Sequence, residues 1–374
     1  MIYYLNKASR GYFKLAIRKL VNVADMSREW WNDLYSRCRD IIARPGVYAD
    51  SCRGKILASM FYEPSTRTNF SFQAAAQRLG AGVFGFSDPV GTSASKGETL
   101  ADTIRMTAAY SSTIVIRSPQ EGSATASALY SEVPVINAGD GGHSHPTQTL
   151  TDLTTIAQKR GSIGNIRIGL CGDLKHGRTV HSLAEAMEMF EGVSFYLISP
   201  KELSFPDYVL NRMNQVGQKY EVSESLADVI PELDVLYMTR IQRERFKDAG
   251  EYRRLKDIYI LTKKLLEGAK KDMQIMHPLP RVDEISTDVD TDPRAAYFEQ
   301  ARYGMLIRMA LLLEFMHLPR EVPPIPQSDP LAAAGECTNP ACITLSDTYL
   351  PRLVSRSGND RCGYCDKKVT SMLL

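Results

Sequence analysis

The sequence lacks the features of a membrane protein or a nucleic-acid-binding protein. No apolar run approaches the ~20 residues that a membrane helix needs, and the N-terminus carries no secretory signal. The sequence also has no large excess of charge of one sign: its formal net charge is +2, whereas a polyanion-binding domain shows a concentrated basic face. The basic first 24 residues resemble an organelle transit peptide only weakly, since serine is scarce. We therefore expect a cytoplasmic protein that binds neither membranes nor nucleic acids.

Cysteine is sparse and unevenly placed. Three of the seven cysteines are scattered, and the other four form Cys337-x4-Cys342 and Cys362-x2-Cys365 near the C-terminus. Two such pairs are typical of a tetrahedral zinc site, and disulfides are rare in a reducing compartment. Apolar residues between the pairs are too few for a core, so a structural Zn2+ would supply much of the folding energy of this segment. Four incidental cysteines are the alternative at this point.

The rest of the chain has an α/β pattern. Apolar runs of strand length alternate with helical patterns from Ile56 to Leu312, as in βαβ units. With 374 residues the chain is long enough for two cores. We predict two lobes, each with a mainly parallel sheet flanked by helices, and a small C-terminal zinc-binding domain. The expected limits are 1–147 for the first lobe with a return helix at 298–320, 148–297 for the second lobe, 321–335 for a Pro/Ala-rich linker and 336–374 for the zinc domain.

The same runs predict the individual elements. Strands are expected at 56–62, 82–86, 113–117, 133–137, 167–171, 194–198, 235–239 and 274–277. Helices are expected at 27–44, from 70 onward, and at 99–109, 146–158, 179–190 and 301–316, with Ser27 as a cap of the first.

The most informative segment is Phe61–Phe72. Pro64 interrupts it, so Ser65–Thr68 (Ser-Thr-Arg-Thr) lies where a strand ends and a helix begins. Unpaired N–H groups at a helix N-terminus attract an anion, and three hydroxyls with a guanidinium add donors for phosphate oxygens. The alternative is an ordinary N-cap beside a solvent-facing arginine.

Further polar groups follow in the same lobe. Arg117 ends a predicted strand, where ligands bind in open α/β sheets, although a structural ion pair would also explain it. Ser93 and Lys96 lie in a Gly/Ser loop that could place the lysine over an anion, with a solvated loop as the alternative.

The segment Gly139–Gln148 places a histidine just before a helix-starting proline. His145 could polarise a carbonyl, and Gln148 offers a donor and an acceptor to an amide-like group. His143 and His145 could instead bind a metal, but no carboxylate or cysteine lies beside them at ligand spacing.

Three predicted strand ends of the second lobe carry polar loops. Arg178 and Arg240 follow two of them and together suit a substrate with two carboxylates, whereas surface ion pairs are the alternative for each alone. The third loop contains Pro278-Leu279-Pro280, whose carbonyls could accept hydrogen bonds from an NH2 group. One of its X-Pro bonds could be cis.

Together these motifs resemble the aspartate carbamoyltransferases, from about Leu20 to about Leu318. Phe61–Thr68 resembles the carbamoyl-phosphate signature that this family shares with the ornithine carbamoyltransferases. His277–Ile285 looks like the aspartate enzymes, because the ornithine enzymes carry a cysteine after that histidine. The resemblance implies the carbamoyltransferase fold and transfer of a carbamoyl group from carbamoyl phosphate to L-aspartate, early in de novo pyrimidine biosynthesis. It implies no cofactor for catalysis.

The resemblance also assigns a role to each site residue. Ser65, Thr66, Arg67, Thr68 and Arg117 would hold the phosphate of carbamoyl phosphate. Donors to the carbamoyl oxygen would be Thr68, Arg117 and His145, while Gln148 and the carbonyls of Pro278 and Leu279 would hold the carbamoyl NH2. Aspartate would be bound by Arg178, Arg240, Gln242 and Leu279. Ser93 and Lys96 would enter the active site of the neighbouring subunit, where Lys96 would contact both substrates. The catalytic residues would be Arg67, Thr68, Lys96, Arg117 and His145.

Shared active sites imply a homotrimer at least. The tail resembles the zinc domain of the regulatory chain of aspartate carbamoyltransferase, without the nucleotide-binding domain that normally precedes it, and the tails could pair two trimers. Two other functions stay open: a carbamoyltransferase for another amino acid, and an inactive zinc-bearing scaffold.

Overall fold

The computed structural model describes residues 17–241, 248, 250, 254, 255, 258–332, 335–356 and 358–370. Its contacts divide the chain into two compact units. The first unit comprises the described parts of Met1–Thr147 and Met305–Leu374, and the second comprises those of Gln148–Gly304. The C-terminal tail therefore belongs to the first unit.

A five-stranded parallel sheet forms the centre of the first unit. Its strands are β1 Lys19–Leu20, β2 Ile56–Phe61, β3 Gly82–Phe86, β4 Thr113–Ser118 and β5 Val135–Asp140, in the spatial order β1-β5-β4-β2-β3. Its helices are α1 Arg28–Ala43, α2 Thr66–Arg78, α3 Leu100–Tyr110 and α4 Ser123–Tyr130, with 3-10 turns at Val23–Asp25, Pro45–Tyr48, Pro89–Gly91 and Ser93–Lys96. Strands β4 and β5 are buried throughout, as is usual for parallel strands covered on both faces.

The second unit is built around another five-stranded parallel sheet. Its strands are β6 Arg167–Cys171, β7 Ser194–Ile198, β8 Lys219–Ser223, β9 Val235–Met238 and β10 Gln274–Met276, in the spatial order β10-β9-β6-β7-β8. The helices are α5 Pro146–Arg160, α6 Arg178–Met187, α7 Asp207–Gln215, α8 Leu226–Val229 and α9 Tyr297–Phe315, with 3-10 turns at Lys201–Leu203, Ile230–Glu232, Leu265–Gly268 and Thr287–Thr291. The boundary between the units falls inside α9, between Gly304 and Met305.

Within the first unit, a buried polar cluster fastens α1 to the last turns of α9. The Ser27 hydroxyl accepts a hydrogen bond from the Trp30 backbone N–H at 3.1 Å, which confirms the predicted cap. The Glu314 carboxylate accepts from the Trp30 indole at 2.9 Å and pairs with Arg37 at 3.1 Å. Because both charges are buried and paired, this contact specifies where α1 lies.

Within the first unit, the tail forms a small module that docks on the loop after β4 and on α4. It contains α10 Ile343–Ser346 and an antiparallel pair of strands, β11 Val354–Ser355 and β12 Gly358–Cys362. Its backbone continues a hydrogen-bond ladder with the loop after β4: the Glu121 N–H donates to the Ala341 carbonyl at 2.8 Å, and the Ile343 N–H donates to the Glu121 carbonyl at 3.0 Å. A cluster of buried apolar side chains joins the module to Ala126 of α4.

The predicted fold class is confirmed, and the differences are local. The elements that were not predicted are β1, β8, α4, α7, α8 and the tail elements α10, β11 and β12. Most of them are short, and α4 has no simple apolar stripe. The strand expected at 133–137 lies instead at Val135–Asp140, because Pro134 has no N–H to donate to a ladder. The helix expected from residue 70 already begins at Thr66. Within the described part of the chain, no helix combines the length and apolar character needed to span a membrane.

Candidate active site and metal centre

The Ser-Thr-Arg-Thr motif forms the start of α2. Ser65 occupies the N-cap position in an extended conformation, but its side chain makes no capping hydrogen bond. Thr66 and Arg67 are the first residues of the helix, and Thr68 is buried. Ser65 therefore does not make the hydrogen bond that defines an ordinary N-cap, which was the alternative considered for this motif. The backbone N–H groups of the first helical turn are suited to binding an anion.

Arg117 lies on the neighbouring strand, with Phe61 as its register partner. Its guanidinium donates to Glu63 Oε1 at 2.7 Å and to the Ala138 carbonyl at 3.1 Å, so the ion pair considered as an alternative does exist. That pair orients the guanidinium at the carboxyl edge of the sheet. Partial burial, and then the positive charge of Arg117, lowers the pKa of Arg67. Two cations that repel each other at a helix N-terminus favour a bound anion.

His145 follows β5 at the same edge of the sheet. It is buried, and its Nδ1 lies 3.4 Å from the Thr147 hydroxyl. The loop before it is fastened by Asp140, a buried carboxylate that accepts from the Ser144 N–H at 3.0 Å and from the Gly122 N–H at 2.9 Å. Since β2, β4 and β5 are parallel and β4 lies between the other two, the motif, Arg117 and His145 follow neighbouring strand ends.

Ser93 and Lys96 form a separate 3-10 turn, and both side chains are exposed on this chain. Exposure fits the solvated-loop alternative as well as a contribution to another subunit. Their role stays a prediction.

In the second unit, Gln148 lies on α5 and donates to Asp152 one turn later at 2.8 Å. Asp152 is fully buried and also accepts from the Gln300 amide at 2.7 Å and the Tyr237 hydroxyl at 3.0 Å. Burial and then the charge of Asp152 raise the pKa of Tyr237 well above its usual range, so the phenol remains a donor. These hydrogen bonds fix the amide plane of Gln148.

Arg178 and Arg240 follow adjacent strands of the second sheet. Arg178 begins α6 shortly after β6, and Arg240 follows β9, whose residue Met238 lies opposite Cys171. Both arginines are partly buried at the carboxyl edge of the sheet. Gln242, predicted to act with them, lies outside the described residues.

The Pro-Leu-Pro loop follows β10, the strand next to β9. His277 holds this loop through two contacts: its Nδ1 accepts from the Leu279 N–H at 2.8 Å, and its Nε2 lies 2.7 Å from Glu284 Oε1. Because Nδ1 accepts, Nε2 carries the proton and donates to the carboxylate. The Leu279–Pro280 bond is cis, and Leu279 itself has a φ of 54°. Pro278 and Leu279 are thus held in one conformation by a buried imidazole.

The four tail cysteines converge. Their sulfur atoms all lie within 4.8 Å of one another, with 3.4 Å between Cys337 and Cys365 and 3.7 Å between Cys342 and Cys362. Sulfurs bound tetrahedrally at the usual Zn–S length would be about 3.8 Å apart, so the cluster fits a metal ion of this kind. Among the described residues this is the grouping able to hold a metal. His143 instead faces two carboxylates, and one of them, Asp140, lies three residues before it, so the expectation that no carboxylate lies beside this histidine was wrong.

Comparison with known families accounts for both sheets. The model of the aspartate/ornithine carbamoyltransferase carbamoyl-P binding domain matches residues 18–158, and that of the Asp/Orn binding domain matches residues 164–315. The chain belongs to the aspartate/ornithine carbamoyltransferase family.

Three similar proteins of this family are aspartate enzymes. The aspartate carbamoyltransferase catalytic subunit of Clostridium novyi is 54% identical over 299 residues, which are 80% of this chain and 98% of the relative. The catalytic subunit of M. jannaschii aspartate transcarbamoylase has a TM-score of 0.75 and 45% identity, covering 80% of this chain and 98% of that one. The Trypanosoma cruzi enzyme, solved with carbamoyl phosphate and aspartate, has a TM-score of 0.75 and 38% identity over 79% and 96% of the two chains. The resemblance drawn from the motifs is confirmed.

Some residues of the site were not predicted. Glu63 lies inside the quoted motif but received no role, and only the pairing of β2 with β4 shows that it meets Arg117. Asp152 could have been found from its spacing, because it lies four residues after Gln148 on one helix. Glu121, which holds the tail, carries no local signal.

Proposed function

We propose that this chain transfers the carbamoyl group of carbamoyl phosphate to the amino group of L-aspartate. The amino nitrogen attacks the carbamoyl carbon, the bond from that carbon to the phosphate oxygen breaks, and the amine loses a proton. The products are N-carbamoyl-L-aspartate and phosphate. The observation that carries this proposal is the juxtaposition at neighbouring strand ends of an uncapped helix N-terminus, Arg67 and Arg117.

For carbamoyl phosphate we propose the roles implied by the family. Ser65, Thr66, Arg67, Thr68 and Arg117 bind the phosphate through charge-assisted hydrogen bonds. His145 joins Thr68 and Arg117 as a donor to the carbamoyl oxygen as negative charge develops there. The Thr147 hydroxyl lies 3.4 Å from His145 Nδ1 and can donate to it, which is compatible with the tautomer that this role requires, with the proton on Nε2.

We propose that residues of the second unit bind the carbamoyl NH2 group and the aspartate. Gln148, oriented by Asp152, and the carbonyls of Pro278 and Leu279 accept from the NH2 group. Arg178 and Arg240 bind the two carboxylates, which is why we propose a dicarboxylic amine rather than ornithine. A role for Gln242 in binding aspartate is proposed from the sequence alone. Binding and orientation, with oxyanion stabilisation, supply the catalysis, and the reaction needs no cofactor.

Substitution of Arg67 tests the active site. Arg67→Ala should lower kcat/KM by at least about 100-fold, as expected for losing one preorganised donor to developing charge. Arg78→Ala on the last turn of the same helix is the matched control, because it removes another arginine of this helix, at the opposite end from the site. Initial rates with carbamoyl phosphate and either L-aspartate or L-ornithine decide the acceptor. Turnover of ornithine without turnover of aspartate would refute the assignment, and full activity of Arg67→Ala would refute the site.

We also propose a homotrimer in which Ser93 and Lys96 complete a neighbouring active site. Apolar side chains exposed on the first unit support a covered surface there, notably Phe70, Val90 and Tyr110. Mixing inactive Arg67→Ala and Lys96→Ala chains should restore part of the activity, because some sites of the hybrids would contain neither substitution. No recovery in hybrids shown to form by native mass spectrometry would argue against shared sites. The same spectra report whether two trimers pair.

For the tail we propose a structural Zn2+ held by Cys337, Cys342, Cys362 and Cys365. The sulfur distances and the small number of apolar residues around them support this. Purified chain should contain about one zinc per chain, released by a chelator with loss of the tail fold. A chain that neither contains zinc nor takes it up would contradict the site.

A further inference from the structure

Each of the two cysteine loops of the tail is linked by one side chain to the segment just before His145, through Glu121 in one case and through the His143 side chain in the other. Asn339 lies between Cys337 and Cys342, and Asp366 directly follows Cys365. We call the segment Gly141–Ser144 the histidine loop; Asp366 contacts its His143 side chain directly, and Asn339 reaches it through Glu121. The contacts are polar and lie within the first unit.

The first link runs through Glu121. Its Oε2 accepts from the Asn339 amide at 2.7 Å, and its Oε1 accepts from the Gly142 N–H at 3.2 Å. Glu121 is buried, and its own backbone is hydrogen-bonded to Ala341 and Ile343 of the tail. A single carboxylate therefore connects the first cysteine loop to the histidine loop.

The second link runs through His143. Its Nε2 lies 3.2 Å from Asp366 Oδ2, and its Nδ1 lies 3.1 Å from Asp140 Oδ2. Asp140 also accepts from the Ser144 N–H, so the imidazole joins the second cysteine loop to the residue that shapes the turn. Ser355 of β11 donates to the other oxygen of Asp366 and fixes that carboxylate in turn.

We propose that the metal-loaded tail is a positioning element for His145, and that Asn339, Glu121, His143 and Asp366 are the positioning residues. This inference rests on the proposed zinc site. The cysteine loops have defined shapes only when their four sulfurs are held together, since the tail has little core of its own. When the sulfurs are released, both links lose their anchors in the tail, although the histidine loop keeps its contacts to Asp140 and the hydrogen bond from the Gly141 N–H to the Ser118 carbonyl. A displacement of His145 by about 1 Å would be enough to lower turnover strongly.

The test uses the full-length, zinc-loaded chain and the variants His143→Asn, Asp366→Asn and the double substitution. We expect kcat to fall at least tenfold in each single variant, with KM for aspartate changed less than threefold, because His145 is proposed to act on the reacting carbonyl. The double variant should be no worse than the worse single one, since both break the same link. Arg356→Gln is the matched control: Arg356 also ties the tail to the first unit, through Asp25 at 2.8 Å, but does not touch the histidine loop.

Hydrogen exchange supplies a readout that does not depend on activity. Amides of residues 139–147 should exchange at least tenfold faster in His143→Asn, in Asp366→Asn and in the chelated wild type than in the zinc-loaded wild type, whereas Arg356→Gln should exchange like the wild type. Zinc at one per chain with unchanged exchange and turnover in the variants would overturn the positioning role while leaving the zinc site intact. A wild type that binds no zinc would overturn the zinc site, and with it the metal dependence proposed here.

Discussion

Asp152→Asn is the substitution that most directly tests how Gln148 is oriented. The carboxylate is fully buried and accepts from the amides of Gln148 and Gln300 and from the Tyr237 hydroxyl, at 2.8, 2.7 and 3.0 Å. Asparagine has the same shape but only one accepting oxygen. Both amides donate to the same carboxylate oxygen, so the asparagine NH2 group would face the Tyr237 hydroxyl, whose proton then loses this acceptor.

The magnitude follows from those three hydrogen bonds. One buried donor without an acceptor costs about 1–3 kcal/mol, and each bond that loses its charged acceptor weakens by about 1 kcal/mol. The free energy of unfolding of the second unit should thus fall by roughly 3–5 kcal/mol. For a unit of this size that lowers the thermal midpoint by about 10 °C. KM for carbamoyl phosphate should rise as well, because the Gln148 amide is no longer held.

Calorimetry and steady-state kinetics on the purified variant check both parts. Tyr237→Phe is the control: it removes one donor but leaves the carboxylate with two others, and should cost only about 1 kcal/mol. In the double variant the Tyr237→Phe change removes one donor that the asparagine NH2 would face, so the two costs should not add. A thermal midpoint within about 2 °C of the wild type, with unchanged KM, would refute the reasoning about Asp152.

Two further predictions concern the supports of the site. Hydrogen bonds from His277 and from nearby backbone N–H groups lower the pKa of Glu284 despite its burial. The contribution of the ionised Glu284 to folding stability is therefore complete above the ordinary carboxyl pKa of about 4.3. It is lost as the pH falls through the lower pKa of the folded state. The difference in thermal midpoint between wild type and Glu284→Gln should therefore be largest near neutral pH and shrink below about pH 4; a difference that grows toward acid would contradict this. Gly122→Ala should loosen the tail, because a Cβ there would lie 2.5 Å from the Cβ of Tyr364. Gly54→Ala has a similar positive φ with open space around it and should cost only about 1–2 kcal/mol; equal proteolysis of the tail in both variants would count against the docking contact.

The strands and the motifs could be predicted from the sequence because their signals are local. Runs such as Ile114–Ile116 are buried on both faces and read as continuous apolar segments. The elements that were not predicted lack such a signal. In α4, small serine and alanine side chains are buried with no apolar stripe, and β8 is mostly exposed.

The candidate site was predictable in its residue types and in the motifs that carry them. Its internal supports were not, because Glu63, Asp152 and Glu284 meet their partners only after strands pair or helices pack. The same holds for the tail. The cysteine spacing predicts a metal site, but nothing near Cys365 in the sequence indicates that Asp366 contacts His143.

The sequence alone determined which chemical groups are present and at which strand ends they lie, since apolar periodicity, prolines and glycines act over a few residues. Only the tertiary structure decided which strand ends are neighbours. The order β1-β5-β4-β2-β3 places Arg117 beside the start of α2, and the docking of the tail on Glu121 connects the cysteine loops to the histidine loop. Which elements become neighbours depends on contacts between residues far apart in the chain. A local sequence pattern does not show the energies of such contacts, so these neighbours could not be predicted from it.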